Sequence, residues 1–165
     1  MPLEPERHDR STFDCGSAEL DTWLRQYAGQ NRRRDTAATW VIVDRSDAVR
    51  AYASLAMTGI DRSRAPQALS AHAPDPVPAL LIGRLAVDRQ VAGRSVGTAL
   101  VAHVLATAVD LNHRAACRAV VVSALDEPAR SWWERLGFHP LDASADSLDL
   151  YLLTSDVEAT LAKLS

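Results

Sequence analysis

Residues 83–99 read GRLAVDRQVAGRSVGTA, an apolar strand that passes through a polar turn into a helix. At the start of a helix the backbone N–H groups have no partner within the helix and the dipole is positive, so this segment predicts an anion site that suits a pyrophosphate. Gly93 and Gly97 would let the backbone approach such a ligand closely. Many strand–helix junctions contain two glycines, and taken alone the segment is equally compatible with a purely structural turn.

Further helices and strands are predicted on both sides of this segment. In chain order we expect a helix, three strands, a helix, a strand, a helix, two strands and a terminal helix. The predicted strands cover 39–43, 50–57, 79–87, 118–124, 138–140 and 148–153, and the later helices cover 97–112, 127–136 and 157–164. This order in 165 residues indicates a mixed α/β single domain, with helices on both faces of one sheet.

The first helix is predicted from its cap and its apolar spacing. Ser17 is a suitable N-cap. Leu20, Trp23, Leu24 and Tyr27 then recur at i, i+3, i+4 and i+7, the spacing of a helix that buries one face. Further along, residues 61–78 hold four of the eight prolines and predict a long loop, a type of segment that is often functional.

The composition indicates a folded protein: 47% of the residues are hydrophobic and 24% are charged. No apolar run is long enough to span a bilayer, and the polar, acidic N-terminus argues against a signal peptide, so we expect a cytoplasmic protein. The two cysteines, Cys15 and Cys117, lie far apart without metal-ligand spacing. We expect free thiols and no metal site.

Arginine supplies nearly all of the positive charge, since Lys163 is the only lysine. The net charge of −3 does not favour nucleic-acid binding, but Arg25 and Arg32–Arg34 form a local basic cluster. The cluster can reflect compositional bias or a solvated helix end, or it can bind phosphates. Arg84 lies inside an apolar strand and needs either an acidic partner in the domain or an anionic ligand.

Three blocks of sequence carry a family resemblance. The early block is His8…Phe13-Asp14-Cys15-Gly16…Leu20…Trp23-Leu24, the central block is Gly83-Arg84-Leu85-Ala86-Val87-Asp88, and the late block is Ala129-Arg130-Ser131-Trp132-Trp133-Glu134-Arg135-Leu136-Gly137-Phe138. In this order they resemble the GNAT superfamily of N-acetyltransferases, and in particular its tRNA-acetylating toxins. The resemblance covers nearly the whole chain and implies one GNAT domain over residues 1–165.

The family's pyrophosphate loop, Gln/Arg-x-x-Gly-x-Gly/Ala, fits this chain in two registers. The register set by the central block places it on Ala92, Ser95 and Gly97, so that two of the three characteristic residues are replaced. A shifted register on Arg94, Gly97 and Ala99 matches the pattern but requires a longer turn. We prefer the first register. Because backbone N–H groups make most of the phosphate contacts in such loops, Ser95 can serve in place of glycine if its backbone angles permit.

The resemblance implies acetyl-coenzyme A as the co-substrate and the α-amino group of an aminoacyl-tRNA, glycyl-tRNA first, as the acceptor, which would block translation. It also implies a homodimer and a cognate ribbon-helix-helix antitoxin. The residues it assigns to the coenzyme are Leu85, Ala86, Val87, Ala92, Gly93, Arg94, Ser95, Val96, Gly97, Thr98 and Ser131. The residues assigned to tRNA are Arg32, Arg33, Arg34 and Arg84.

Trp133 replaces the tyrosine that the family uses as general acid toward the coenzyme A thiolate. An indole N–H donates a hydrogen bond but carries no titratable proton. Because a general acid contributes roughly 10²–10⁴-fold, we expect a slower enzyme, with the proton supplied by water, Ser131 or Tyr151. We expect Trp132 to pack in the core, whereas for Trp133 packing and a role in the site are equally open.

The sequence is also compatible with two other functions. The chain could acetylate a protein amine or a small amine. It could also be a catalytically weakened GNAT that binds coenzyme A or a partner without turnover, as the replacements at Ala92, Ser95 and Trp133 would allow.

Overall fold

Apart from a short helix at Gln67–Ser70, where a loop was predicted, the helices and strands follow one another in the predicted order. We describe residues 1–142 and 146–164 of a computed structural model. The strands are β1 (Ala38–Val43), β2 (Val49–Ile60), β3 (Val77–Val87), β4 (Ala119–Ser123), β5 (His139–Pro140) and β6 (Asp149–Leu153). The helices are α1 (Ala18–Thr22), α2 (Ala28–Arg33), α3 (Gln67–Ser70), α4 (Val96–Arg114), α5 (Glu127–Arg135) and α6 (Val157–Leu164).

The six strands form one mixed sheet in the order β1-β2-β3-β4-β6-β5. Strand β1 pairs antiparallel with β2, and β6 pairs antiparallel with both β4 and β5. Strands β3 and β4 are parallel, with Ala79–Ile82 opposite Ala119–Val122, and β3 continues for five residues beyond this pairing to Val87. The predicted mixed α/β class is confirmed.

The chain divides into two compact units. The first unit comprises Met1–Ala56 and Gly83–Val101, and the second comprises Met57–Ile82 and the chain from Ala102 onward. The core of the first unit is a cluster of buried side chains: Leu3, Phe13, Trp23, Leu24, Ala28, Val41, Val49, Tyr52 and Ala86. The core of the second unit contains Ile60, Leu69, Ala73, Val77, Ala79, Ala119, Val121 and Tyr151.

The predicted N-terminal helix forms, but a π-helical turn at Trp23–Tyr27 interrupts it between α1 and α2. Ser17 caps α1 as expected, since its side chain accepts from the Leu20 N–H. The wider turn advances the buried face by one residue: Ala28 is buried, whereas Tyr27 is 46% exposed. The prediction that Tyr27 belongs to the buried face was therefore wrong.

The polar groups around this turn explain why it widens. The hydroxyl of the buried Tyr52 donates to the Leu20 carbonyl at 2.7 Å, and Ala28 donates to the carbonyl of Trp23, five residues earlier. Burial raises the pKa of Tyr52, which keeps the hydroxyl protonated and able to donate. A side chain that enters the helical hydrogen-bond ladder in this way is a recognised cause of helix distortion.

The proline-rich segment is more ordered than a long loop. It contains a 3₁₀ turn at Arg62–Arg64 and the short helix α3, and β3 already begins at Val77. Arg118 holds this segment, since its guanidinium donates to the carbonyls of Leu69 and Ala71 at 2.9 Å. The prediction of a loop over residues 61–78 missed these contacts because they come from a residue about 50 positions away.

Helix α5 begins and ends where the sequence predicts. Asp126 accepts from the Ala129 N–H at 2.9 Å and caps its N-terminus. Gly137 follows it with φ +106°, the left-handed conformation expected of a C-terminal glycine. Helix α4 is longer than predicted and buries only one face, with Val101, Val104, Leu105 and Ala108 inside and residues 112–114 exposed.

Candidate functional site

Asp88 holds the point at which β3 passes into the glycine-containing loop. Its side chain is only 1% exposed. One carboxylate oxygen accepts from the Gln90 N–H at 2.8 Å, and the other accepts from the Asp14 N–H at 3.2 Å and faces Arg50 Nη1 at 3.5 Å. A buried carboxylate is stable only when its charge and lone pairs find partners of this kind.

The loop after Asp88 has the backbone geometry of an anion site. After a 3₁₀ turn at Arg89–Val91, Gly93 and Ser95 adopt φ values of +77° and +59°. Both residues are exposed, and apart from Gly93 and its two chain neighbours no heavy atom of the described residues lies within 4 Å of a Cβ built on Gly93, so the space beside the loop is open. The loop thus combines left-handed backbone with room for a ligand.

Ser95 occupies a position at which the family pattern has glycine. Its left-handed backbone is a conformation that glycine adopts most easily, and this supports the register on Ala92, Ser95 and Gly97. The Ser95 carbonyl accepts from the Ala99 N–H at 3.0 Å. The N–H groups of Val96, Gly97 and Thr98 precede this first helical bond and are the donors that a helix start offers to an anion.

The early sequence block fastens this loop. The Arg89 N–H donates to the Asp14 carbonyl at 2.9 Å, and Arg89 Nη2 lies 3.1 Å from Asp14 Oδ1. Gly16 has φ +93°, and a Cβ there would lie 3.5 Å from Arg89 Nε. The sequence block around Asp14 did not indicate this function, because Arg89 is distant in the chain.

Neither cysteine behaves as a nucleophile in this arrangement. Both are free, as expected. Burial and the nearby Asp21 raise the pKa of Cys15 to about 11, and burial also raises the pKa of Cys117. Both side chains therefore remain protonated thiols near neutral pH.

Arg84 pairs with an aromatic ring. Its guanidinium carbon lies 4.5 Å from the centroid of the Trp23 ring, and Trp23 stacks on Tyr52 with a centroid distance of 5.7 Å. Within residues 1–142 and 146–164, no acidic side chain forms an ion pair with Arg84. The guanidinium is thus held in place without its charge being neutralised.

A pocket of about 430 Å³ lies beside this pair. The side chains that line it are Ala18, Glu19, Thr22, Trp23, Tyr27 and Arg84. Tyr27 reaches the pocket because the π-helical turn places it outside the core. A regular helical pattern in the sequence could not have indicated this.

The basic cluster is only partly available to a ligand. Arg25 donates to the Phe13 carbonyl at 2.9 Å and is therefore engaged within the protein. Arg32, Arg33 and Arg34 are exposed at the end of α2. In the described part of the chain they have no ion-pair partner, so their guanidinium groups are free to bind phosphates.

The second unit contains the other predicted site residues. Trp133 is 4% exposed and packs edge-on against Trp132 and Phe138, with both centroid distances 5.0 Å. Trp132 is only half-buried. The expectation that Trp132 is the core residue of this pair was therefore wrong, because the helical face that meets Phe138 carries Trp133.

The two hydroxyl candidates in this unit differ in burial. Ser131 is half-buried on α5. Tyr151 is buried in β6, with its ring 6.0 Å from that of His139, and burial raises its pKa. Tyr151 therefore holds its proton firmly near neutral pH.

Neither a candidate membrane-spanning helix nor a candidate metal site occurs in residues 1–142 and 146–164. No helix there is both long enough and apolar enough to cross a membrane. No group of three or more His, Cys, Asp or Glu side chains is placed to hold a metal ion.

Comparison with known proteins gives one consistent result. Residues 5–138 match the acetyltransferase (GNAT) family. The chain is 32% identical to a tRNA-acetylating toxin of Mycobacterium tuberculosis (strain ATCC 25618 / H37Rv) over 151 residues, which make up 92% of this chain and 89% of the toxin.

Two solved structures are similar over almost the same extent. A mutant of KacT is 26% identical with a TM-score of 0.89, and the match covers 96% of both chains. A mutant of AtaT, bound to the C-terminus of the antitoxin AtaR and to acetyl-CoA, is 25% identical with a TM-score of 0.83. That match covers 96% of this chain and 94% of the AtaT chain.

Proposed function

The chain belongs to the GNAT acetyltransferase family and transfers an acetyl group to an amine, and from this premise we propose that its acceptor is the α-amino group of an aminoacyl-tRNA. The whole chain, 1–165, then acts as one acetyltransferase domain. The observation that carries the proposal is the loop from Asp88 to Thr98, whose left-handed backbone and helix-start donors suit a pyrophosphate. The 32% identity to a tRNA-acetylating toxin supports the choice of acceptor.

Acetyl-coenzyme A, which is bound in the AtaT complex, would supply the activated acetyl group as a thioester. The residues that we assign to it are Leu85, Ala86, Val87, Ala92, Gly93, Arg94, Ser95, Val96, Gly97, Thr98 and Ser131. The open space beside Gly93 and the helix-start N–H groups ahead of Ala99 fit a diphosphate. The exposed Arg94 adds a positive charge at the same loop.

An α-amine suits a site in which no base has been identified. The pKa of an α-amino group is about 7.7–8.0, against about 10.4 for lysine, so much more of it is neutral near pH 7. His103 and His113 are both exposed on α4. We propose glycyl-tRNA as the first acceptor to test, and a block of translation as the consequence.

The tRNA would be held through its phosphates by Arg32, Arg33 and Arg34, whose side chains are exposed and unpaired among the described residues. Arg84 would contact the tRNA nearer to its 3′ acceptor end than these three arginines do. Such contacts give affinity and orientation without reading the sequence of the RNA.

Proton delivery to the departing thiolate would come from solvent or from Tyr151, since Trp133 cannot supply a proton. A thiol has a reference pKa of about 8.5, so the thiolate is a tolerable leaving group near neutral pH without a general acid. The raised pKa of Tyr151 keeps its proton available but makes it a weaker acid.

The assembly that we propose is a cytoplasmic homodimer regulated by a cognate antitoxin of the ribbon-helix-helix type. The complex of AtaT with the C-terminus of AtaR supports the antitoxin.

The test is to incubate the purified protein with acetyl-CoA and charged total tRNA, and to identify the aminoacyl adducts by mass spectrometry. N-acetylated aminoacyl-tRNA, with glycine foremost, is expected. Acetylation of added proteins or small amines without any tRNA adduct would favour the alternative acceptor.

The burial of Trp133 at the position of the family's tyrosine favours a second candidate, a module that binds coenzyme A or a partner without turnover. Coenzyme A binding with no acetylated product from any acceptor would establish that candidate instead.

A further inference from the structure

The pocket formed by Trp23, Tyr27 and Arg84 has no assigned ligand. Its six lining residues all belong to the first unit. Three features of these side chains indicate what the pocket can bind.

The first feature is the guanidinium of Arg84. The ring of Trp23 holds it at 4.5 Å, and Trp23 is in turn fixed by its stacking on the buried Tyr52. No carboxylate in the described part of the chain pairs with it. A planar cation that is positioned by an aromatic ring can stack on a nucleobase and can donate to a phosphate or ribose oxygen.

The second feature is the ring of Tyr27. It is one of the few large apolar side chains left exposed, at 46%, and the π-helical turn puts it there. Turns of this kind occur often at functional sites. An exposed aromatic ring beside an arginine is the usual platform for an unpaired base.

The third feature is Glu19, whose acidic side chain also lines the pocket. The negative charge of this carboxylate disfavours a ligand with several phosphates, but the carboxylate can accept a hydrogen bond from the exocyclic amine of a base. A tyrosine ring, a planar guanidinium cation and a carboxylate acceptor therefore fit a nucleoside better than they fit an inorganic anion.

The position of Arg84 in the chain connects this pocket to acetyl transfer. Arg84 directly precedes Leu85–Val87 on β3, a strand segment that we assign to acetyl-coenzyme A. The distance along a strand from Arg84 to these residues is roughly 3–10 Å. A nucleoside in the pocket would thus have its esterified amino acid close to that segment.

We propose that this pocket binds the unpaired 3′-terminal base of the acceptor tRNA, which stacks on Tyr27 and on the guanidinium of Arg84. The proposal rests on the proposed function, because it takes the acceptor to be tRNA. It adds a base-binding site to the phosphate contacts of Arg32–Arg34.

The test uses a single-stranded RNA ending in CCA, with 2-aminopurine in place of the terminal adenine, because this base loses fluorescence when it stacks. The wild-type protein is expected to quench it. Tyr27→Ala should raise the dissociation constant about 5- to 150-fold, the contribution of one base–aromatic stack. Tyr27→Phe keeps the ring and should bind as the wild type does, whereas Arg84→Lys keeps the charge but not the planar group and should bind more weakly.

Leu125→Ala is the matched control, because Leu125 is an exposed apolar residue of the second unit that lines no part of this pocket. Thermal unfolding of each variant checks that it is folded. Quenching and affinity that are the same in the wild type, Tyr27→Ala and Arg84→Lys would overturn the proposal, as would a wild type that does not quench the probe.

Acetylation of charged tRNA is measured in parallel, so that the two proposals can fail separately. Quenching that depends on Tyr27, without any acetylated tRNA, would contradict the proposed function and support the proposal that the pocket binds a base. Acetylated tRNA without quenching that depends on Tyr27 would overturn only the proposal that the pocket binds a base.

Discussion

Replacing Asp88 by asparagine should weaken both the fold and coenzyme binding. The carboxylate accepts from two backbone N–H groups, at 2.8 and 3.2 Å, and faces Arg50 at 3.5 Å. Asparagine has nearly the same shape, but one of its two terminal atoms is a donor and would face other donors. Hydrogen bonds to a charged group contribute about 1.5–3 kcal/mol each, so Asp88→Asn should lower the free energy of unfolding by about 2–4 kcal/mol.

The matched control is Asp14→Asn. Asp14 forms an exposed ion pair with Arg89, of a kind that contributes about 0–1 kcal/mol. Its N–H and carbonyl contacts with Asp88 and Arg89 are made by the backbone and survive the substitution. Asp14→Asn should therefore cost less than about 1 kcal/mol.

Urea unfolding measures the stability of the two variants, and calorimetry measures their affinity for acetyl-CoA under conditions in which both remain folded. We expect the affinity to fall in Asp88→Asn and to be retained in Asp14→Asn. Equal stability in the two variants would refute the argument that burial makes the Asp88 contacts strong. An unchanged affinity in Asp88→Asn would show that Asp88 does not position the loop.

Three further predictions test the remaining assignments. Gly97→Asp puts a negative charge in the first turn of α4 and should abolish acetyl-CoA binding; unchanged affinity by calorimetry, with the fold intact, would remove this loop from the site. Changing residues 32–34 to alanine should weaken tRNA binding and make the plot of log affinity against log salt shallower by about 2–3, since each phosphate contact contributes about 0.7–0.9. A triple alanine variant with the same net charge, changed at the exposed Arg45, Arg114 and Arg135, should leave that slope unaltered. Trp133→Tyr should raise kcat, by at most about 10²–10⁴-fold. An unchanged kcat would mean that the absence of the family's tyrosine does not limit this enzyme. Trp133→Phe shows whether the indole N–H contributes to the rate.

Several features of the fold and site could be predicted because their causes are local. The apolar residues before Asp88 and the glycines after it identify a strand, a loop and a helix without reference to distant residues. The same holds for helix α5, where Asp126 and Gly137 provide the start and stop signals in the chain itself. The family blocks extended these local predictions to the complete fold.

Other features depended on contacts between distant parts of the chain. Arg84 meets Trp23, which is 61 positions earlier, and the Tyr52 hydroxyl contacts the helix at the Leu20 carbonyl, where the π-helical turn moves Tyr27 out of the core. Burial likewise decided which of two adjacent tryptophans packs inside, because Trp133 lies on the helical face that meets Phe138. The sequence by itself determined most of the helices and strands, their caps and the glycine loop, because hydrophobic spacing, capping residues and glycines act locally. Tertiary packing decided which side chains remain free for a ligand, because that depends on which partners the fold brings to each of them.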